Sequence, residues 1–380
     1  VVRAAADARE SPAARFLRRD WVWLGAIVLV AFALRLVYIL QWQSSPTFDY
    51  PIIDERYHDD WAVAIAEGRS FVDTPFFRAP LYPYFLGAIY ALLGHDYLAA
   101  RIAQAVLSAV GCGLVFLIGR RLFGRAVGTI AGLVAASYWA WIFFDGELLI
   151  PPVIMFLDLV LIWLLIRAHR RPGPLSFGLA GVVLGLSAIG RPNVLLFGPA
   201  IVAWILAILL PRWKQAIACT AAVTAGCLLV VLPVTIRNYV VGDDFVLVAS
   251  QGGLNFYVGN NPESDGRTAT APGGVMDSPV NYQAAIEHAE QATGRKLKAS
   301  EVSDYYYRMG WAFIREHPAQ ALALTWLKMR LFWSKWEIAN NRNIYFWTAS
   351  FAPVLKWLPI GFGLIGPLGI AGLSLCRRRA

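Results

Sequence analysis

Residues 21–41 read WVWLGAIVLVAFALRLVYILQ, and this run decides what kind of protein the chain is. About twenty predominantly apolar residues, wound as a helix, cross the hydrocarbon core of a bilayer. Runs of comparable length recur near 98–118, 126–144, 148–167, 175–190, 193–210, 215–236 and 353–375. Composition agrees. With 58% hydrophobic and 16% charged residues and a mean hydropathy of +0.52, too little polar surface remains to clothe a soluble domain. The chain reads as an all-α polytopic membrane protein with about eight spans.

Basic residues then orient it. Arg15, Arg18 and Arg19 precede the first run, Arg120, Arg121 and Arg125 follow the second, and Arg167, Arg170 and Arg171 follow the fourth. Arg212 and Lys214 follow the sixth, and Arg377, Arg378 and Arg379 follow the last. With eight spans all these clusters share one side, and the cytoplasmic bias of Lys and Arg puts both termini in the cytoplasm. The net charge of +9 is therefore topological and meets anionic membrane lipid. No basic stripe interleaved with stacking aromatics points to nucleic acid.

Four segments follow: 1–20, a cytoplasmic N-terminal segment; 21–241, the transmembrane core with a first outer loop at 42–97; 242–352, a second outer loop; and 353–380, the last span with its basic end. No repeat of fixed period is visible. Cys112, Cys219, Cys227 and Cys376 lie in or beside apolar runs without CxxC spacing, which favours packing over metal or disulfide chemistry. No cleavable-signal pattern precedes residue 21, and the stop at CRRRA directly after a span suggests a membrane domain cut from something longer.

The first outer loop opens on the acidic passage DERYHDD, 54–60. A helix is expected through ERYHDDWAVAIAEG, stopped at Gly68, and a second over 78–94, started by Pro80 and Pro83 and lying at the interface. In the second loop, the Gly-, Asn- and Pro-rich SQGGLNFYVGNNPESDGRTATAPGG predicts turns and close backbone approaches rather than helix. Polar helices near 281–294 and 300–316 follow, then an interfacial segment whose Lys328, Arg330 and Lys335 snorkel.

Each charged residue on this face has a plain reading beside a functional one. Asp59 and Asp60 suit a solvated helix face, the latter paired with Arg56 at i,i+4. Asp54 is either an N-cap or a reactive carboxylate beside an apolar approach. Glu147, in FDGELLIPP, complements a helix dipole or belongs to a site, since ionisable groups between membrane segments tend to mark function. Asp145 reads as the turn residue of DG. Asp158 is a bundle-facing contact or a pathway residue. Arg78 and Arg191 either meet lipid headgroups or clamp a phosphate bidentately. His58 stands one helical turn from Asp54, making it a weak metal candidate. No cofactor is required, although a divalent metal is conceivable. Together, carboxylates and guanidiniums on one membrane face suit attack on a carbon that bears a phosphate leaving group.

At these residues the chain resembles a membrane glycosyltransferase of the GT-C type. It is most similar to the branch that contains the protein O-mannosyltransferases and the aminoarabinose–lipid A transferases. The likeness is carried by Asp54-Glu55 after the first span, FRAPLYPYFLGAIYALLG, RIAQAVLSAVGCGLVFLIGRRLFG, FDGELLIPP and GRPNVLLFGPA, in that order over about 20–240. It implies a GT-C-like bundle with interfacial helices in its outer loops. It also implies transfer of a sugar from a polyprenyl-phosphate carrier to a glycan, lipid or protein acceptor on the outer face of a bacterial inner membrane, with inversion. By position, Asp54 would be the general base, Glu55 its support, Glu147 a second active-site carboxylate and Arg78 the contact to the carrier phosphate. Arg191 joins them from topology. Phe77 stands where the aminoarabinose branch has an acidic residue that helps hold a metal, which argues against metal and against that substrate. The rival reading is a lipid or oligosaccharide transporter or flippase, which would place its charges nearer the membrane midplane and show repeat halves.

Overall fold

The computed structural model describes residues 12–272, 274–275 and 279–376. The C-terminal Arg377, Arg378 and Arg379 and the first eleven residues of the N-terminal segment lie outside the described residues. Sixteen α-helices account for nearly all regular structure among the described residues.

The chain opens on α1 (Pro12–Trp42), followed by α2 (Asp54–Ala66) and α3 (Leu81–Leu93) in the first loop. The helices α4 (Tyr97–Phe123), α5 (Arg125–Ala136), α6 (Trp139–Gly146), α7 (Pro151–Arg170), α8 (Pro174–Gly190), α9 (Phe197–Leu209) and α10 (Trp213–Gly242) build the bundle. The second loop carries α11 (Gly252–Gly259), a two-stranded antiparallel ribbon of β1 (Thr270–Ala271) and β2 (Gly274–Val275), α12 (Pro279–Thr293), α13 (Ala299–Glu316), α14 (Pro318–Phe332) and α15 (Ile344–Phe351). The last helix is α16 (Phe362–Cys376).

Every expected span has a helical counterpart, but they differ in reach. Four stretches are long and apolar enough to cross a bilayer: Asp20–Trp42, Tyr97–Phe123, Pro151–Arg170 and Pro192–Gly242. A fifth is reached only if α5 and α6, bent by 47° where they meet, count as one broken span. The run Pro192–Gly242 is 51 residues long, roughly twice what a bilayer needs. It turns back at the 3-10 segment Leu210–Arg212, since Val194 shares one apolar cluster with Val231, and Leu209 shares another with Ala216. The expected last span is shorter than its apolar run, because Pro353–Trp357 forms a separate 3-10 turn before α16.

The most extensive helix pairing in the bundle joins α8 to α10. It is close because Gly181 faces the backbone of Val223 and Gly185 that of Cys227, the small-residue contact by which membrane helices approach. Cys112 and Cys219 sit inside apolar clusters. At one end of the bundle, Asp20 bridges Arg120 and Arg125, each at 2.5 Å. That bridge fixes Asp20, at the start of the apolar stretch of α1, beside the basic exit of α4.

Two local expectations are overturned. The glycine-rich GGLNFYVG is helical, as α11, because Gly253 lies flat against the backbone of Ser303 in α13, with no room for a Cβ. Asp54 is not the N-cap of α2. Ile53 takes that position, and Asp54 is the first helical residue.

Candidate active site

The geometry begins with the faces of α2. Glu55, His58, Asp59 and Ala62 are buried, whereas Arg56 and Asp60 are exposed. Spacings of three and four place the buried set on one side of the helix. Trp61 and Ala64 widen this face, so its polar members are drawn inward by the apolar anchor further along.

Asp54 begins the helix from an unusual backbone. Ile53 has φ 52° and ψ −116°, a conformation that costs a β-branched residue about 1–3 kcal/mol and persists only where the surroundings impose it. The strained residue and Asp54 together line a cavity of about 760 Å³. Its other walls come from the 267–269 loop, Val275, Tyr282 of α12, Leu331 at the end of α14, and the segment from Ser334 to Asn341 after it. Arg78 lies behind the carboxylate, with Nη1 donating to Asp54 Oδ1 at 2.5 Å and Nη2 to the Tyr282 hydroxyl at 2.8 Å. Its guanidinium is sandwiched by the rings of Tyr57 and Tyr282, at 5.0 and 5.2 Å. Asp54 keeps 27% of its side chain exposed and Arg78 13%, so the pair sits at a rim.

One residue further, the environment reverses. Glu55 is fully buried, its Oε1 accepting the Leu148 amide at 2.8 Å and its Oε2 lying 2.6 Å from Arg342 Nη2. The other arm of Arg342 donates to Glu147 Oε2 at 2.6 Å. One guanidinium therefore joins two buried carboxylates. Burial first, then the charge of Glu55, push the Glu147 carboxyl up to about 8 despite Arg342. Glu147 is not in the first turn of a helix but follows the last residue of α6, in a turn that α4 holds. Arg101 Nε donates to the Gly146 carbonyl at 2.7 Å, and Gln104 Nε2 donates to the carbonyls of Asp145 and Glu147 at 3.0 and 2.9 Å.

The remaining charged residues divide similarly. Asp59, expected on a solvated face, is buried and accepts from Tyr90 at 2.7 Å, His95 at 2.9 Å and Tyr97 at 2.8 Å. It ties α2 to α3 and to the start of α4. Asp60 does remain outside with Arg56, 3.9 Å away at i,i+4. Asp145, expected in a surface turn, is fully buried in the last turn of α6, paired with Arg35 at 2.6 Å and accepting from Ser108 at 2.5 Å. Asp158 accepts from Ser187 of α8 at 3.1 Å, an interhelical contact. Arg191 is exposed at the end of α8. His58 is buried with Nδ1 3.4 Å from the Leu148 carbonyl, and burial and Arg78 lower its pKa to about 4, leaving a neutral imidazole. Among the described residues no three His, Cys, Asp or Glu side chains cluster as a metal site.

Sequence reasoning missed Arg342, Arg101, Arg35 and Tyr282. The first lies in NNRN, a polar run between apolar helices, and nothing local ties it to Glu55 and Glu147, far earlier in the chain. Arg35 and Arg101 carried a usable signal, since an arginine within an apolar span demands a buried partner.

Residues 75–236 match the family described as dolichyl-phosphate-mannose-protein mannosyltransferase. Over that stretch, which is less than half of the chain, the protein is similar to membrane glycosyltransferases of the GT-C type. The matched stretch takes in Arg78, Glu147 and Arg191, while Asp54, Glu55 and Arg342 fall outside it. No curated protein matches the chain significantly.

Proposed function

We propose that this protein moves a sugar from a polyprenyl-phosphate carrier to a hydroxyl on a glycan, lipid or protein acceptor, inverting the anomeric carbon. The observation that carries this reading is Asp54, a carboxylate that lines a 760 Å³ cavity with a guanidinium 2.5 Å behind it. The acceptor O–H gives its proton to Asp54 as its oxygen bonds to the anomeric carbon. The bond from that carbon to the phosphate oxygen breaks, and the carrier phosphate leaves with the electron pair.

Arg78 supplies positive charge toward the departing phosphate, and Arg191 offers a second cation from the end of α8. Glu55 and Glu147 act from behind the cavity, holding Arg342 and with it the adjoining wall at Asn340 and Asn341. The reaction as written needs no metal. Arg120 and Arg125 lie at the exit of α4, whose opposite end carries Tyr97 bonded to Asp59 of α2, which supports an outer-face site in a bacterial inner membrane with cytoplasmic termini.

A transfer assay in membrane vesicles tests the reading by following loss of labelled sugar from polyprenyl phosphate. Wild type should consume the donor, and Asp54→Asn should not. A wild-type rate for the variant would overturn the assignment of the base. If wild type consumed no lipid-linked sugar, the donor class would be wrong.

A further inference from the structure

A second site lies at the far end of the bundle. The helix α7 starts four residues after Glu147 and runs for 20 residues, about 30 Å, to Arg170. There, a lateral groove of about 530 Å³ opens between α7 and α9, with Leu122 of α4 at its edge. Its walls are apolar: Ile162, Leu165 and Ile166 on one side, Phe197 and Trp204 on the other. Ile162 and Phe197 remain 44% and 55% exposed, so the groove faces the surrounding bilayer rather than the bundle interior.

The end of the groove is charged. Arg170 and His169 line it directly, with the His169 ring stacked 5.6 Å from Trp204 at 19°. Arg121 precedes Leu122 in the chain and lies within electrostatic reach of Arg120, Arg167 and Arg170. Arg120 is drawn to Asp20 at 2.5 Å. Among the described residues, no carboxylate pairs with Arg121, Arg167 or Arg170, and all three are exposed. Like charges gathered without a counterion repel one another, and an anion held between them relieves that cost.

We propose that this groove binds one anionic diacyl phospholipid, its phosphate among Arg121, Arg167 and Arg170 and an acyl chain along α7 and α9. Both halves of the feature are needed to select this ligand. A free phosphate would use only the cations, and a zwitterionic lipid would leave their net charge unbalanced. Each basic residue near an anionic lipid surface contributes about 1 kcal/mol, so two of them set a preference of roughly 30-fold. The groove lies away from Asp54, and the inference does not depend on which sugar is transferred.

The test uses the purified full chain in detergent, with phosphatidylglycerol, phosphatidylcholine or inorganic phosphate as probes, read by native mass spectrometry and thermal stability. Wild type should retain one phosphatidylglycerol, exchange phosphatidylcholine freely, and gain no stability from inorganic phosphate. The double variant Arg121→Gln/Arg170→Gln should bind phosphatidylglycerol roughly 30-fold more weakly. Ala200→Trp fills the groove without changing charge and should also lose the lipid. Equal retention of both lipids, full replacement by phosphate, or undiminished binding by Ala200→Trp would each overturn the proposal. Should a variant misfold, tail-brominated phosphatidylglycerol can be tested against folded wild type and Trp204→Phe. Quenching must be stronger in wild type, and equal quenching would sink the idea.

Discussion

Asp54 and Glu55 are neighbours in sequence and opposites in environment. Asp54 sits at a rim, keeps part of its surface, and shares Arg78 with a cavity wall through Tyr282. Glu55 is sealed, and its Arg342 partner is shared with a second buried carboxylate. A single residue step, about 100° around the helix, separates a carboxylate open to the cavity from one that is sealed. The lesson is that an acidic pair at a membrane surface can combine one cavity-facing and one architectural carboxylate. The larger part of the charge on this face is architectural.

The comparison is broken most forcefully from the rim. Asp54→Asn keeps the shape but removes the proton acceptor, and transfer should fall by about 10²–10⁴-fold with thermal stability nearly unchanged. If Glu55→Gln reproduced that loss in folded protein and Asp54→Asn did not, the two roles would be exchanged.

The buried side answers to Arg342. Removing one partner from a buried ionic group typically costs about 3–5 kcal/mol, because uncompensated charge remains. Arg342→Met should therefore lower the unfolding temperature in detergent by many degrees, whereas Arg78→Met, at the rim, should spare stability and reduce transfer. Equal stability of the two variants would erase the distinction.

Titration sharpens it further. The Glu147 carboxyl is raised from its ordinary 4.5 to about 8. Between those values the folded state holds a proton that the unfolded chain has released, so this group's contribution falls as pH rises toward 8. His58 acts in the opposite sense. Its pKa is lowered from 6.5 to about 4, so stability falls as pH drops through that interval. Glu147→Gln should remove the alkaline loss and leave the acid loss, read as unfolding temperature against pH. An unchanged alkaline limb would mean that Glu147 does not carry it.

Asp59 is a smaller case of the same contrast. It accepts three side-chain hydrogen bonds, and Asp59→Asn converts part of that acceptor set into donors. A loss of about 1–3 kcal/mol follows from the groups left unpaired. Tyr90→Phe, which removes one donor, should cost less. Thermal unfolding of the two variants checks the order.

Local and long-range features were not equally legible. Span positions, α2, α3, α12 and α13 follow from hydropathy and helix punctuation, which act over a few residues. The inward face of α2 was also legible in principle, because counting back from Ala62 by three, four and seven reaches Asp59, His58 and Glu55. The acidic composition of the passage obscured it. The Arg342 bridge was not legible, since it joins residues 195 positions apart through a loop whose path no local propensity sets. The helix α11 escaped for a related reason: the glycines that disfavour helix in isolation permit its contact with α13, so tertiary packing reversed the local preference.

The smallest effect belongs to the pair that stays outside. Arg56 and Asp60 are 76% and 60% exposed and 3.9 Å apart. Such a pair contributes about 0.3–0.5 kcal/mol at most, since water and salt screen it and ordering two side chains offsets the attraction. Arg56→Gln and Asp60→Asn should each leave transfer intact and move the unfolding temperature by little more than measurement error, less still in high salt. These variants calibrate the larger ones, because Asp60 follows Asp59 as Glu55 follows Asp54. A large activity loss in Asp60→Asn would put substrate on the exposed face of α2 and move the site from the cavity.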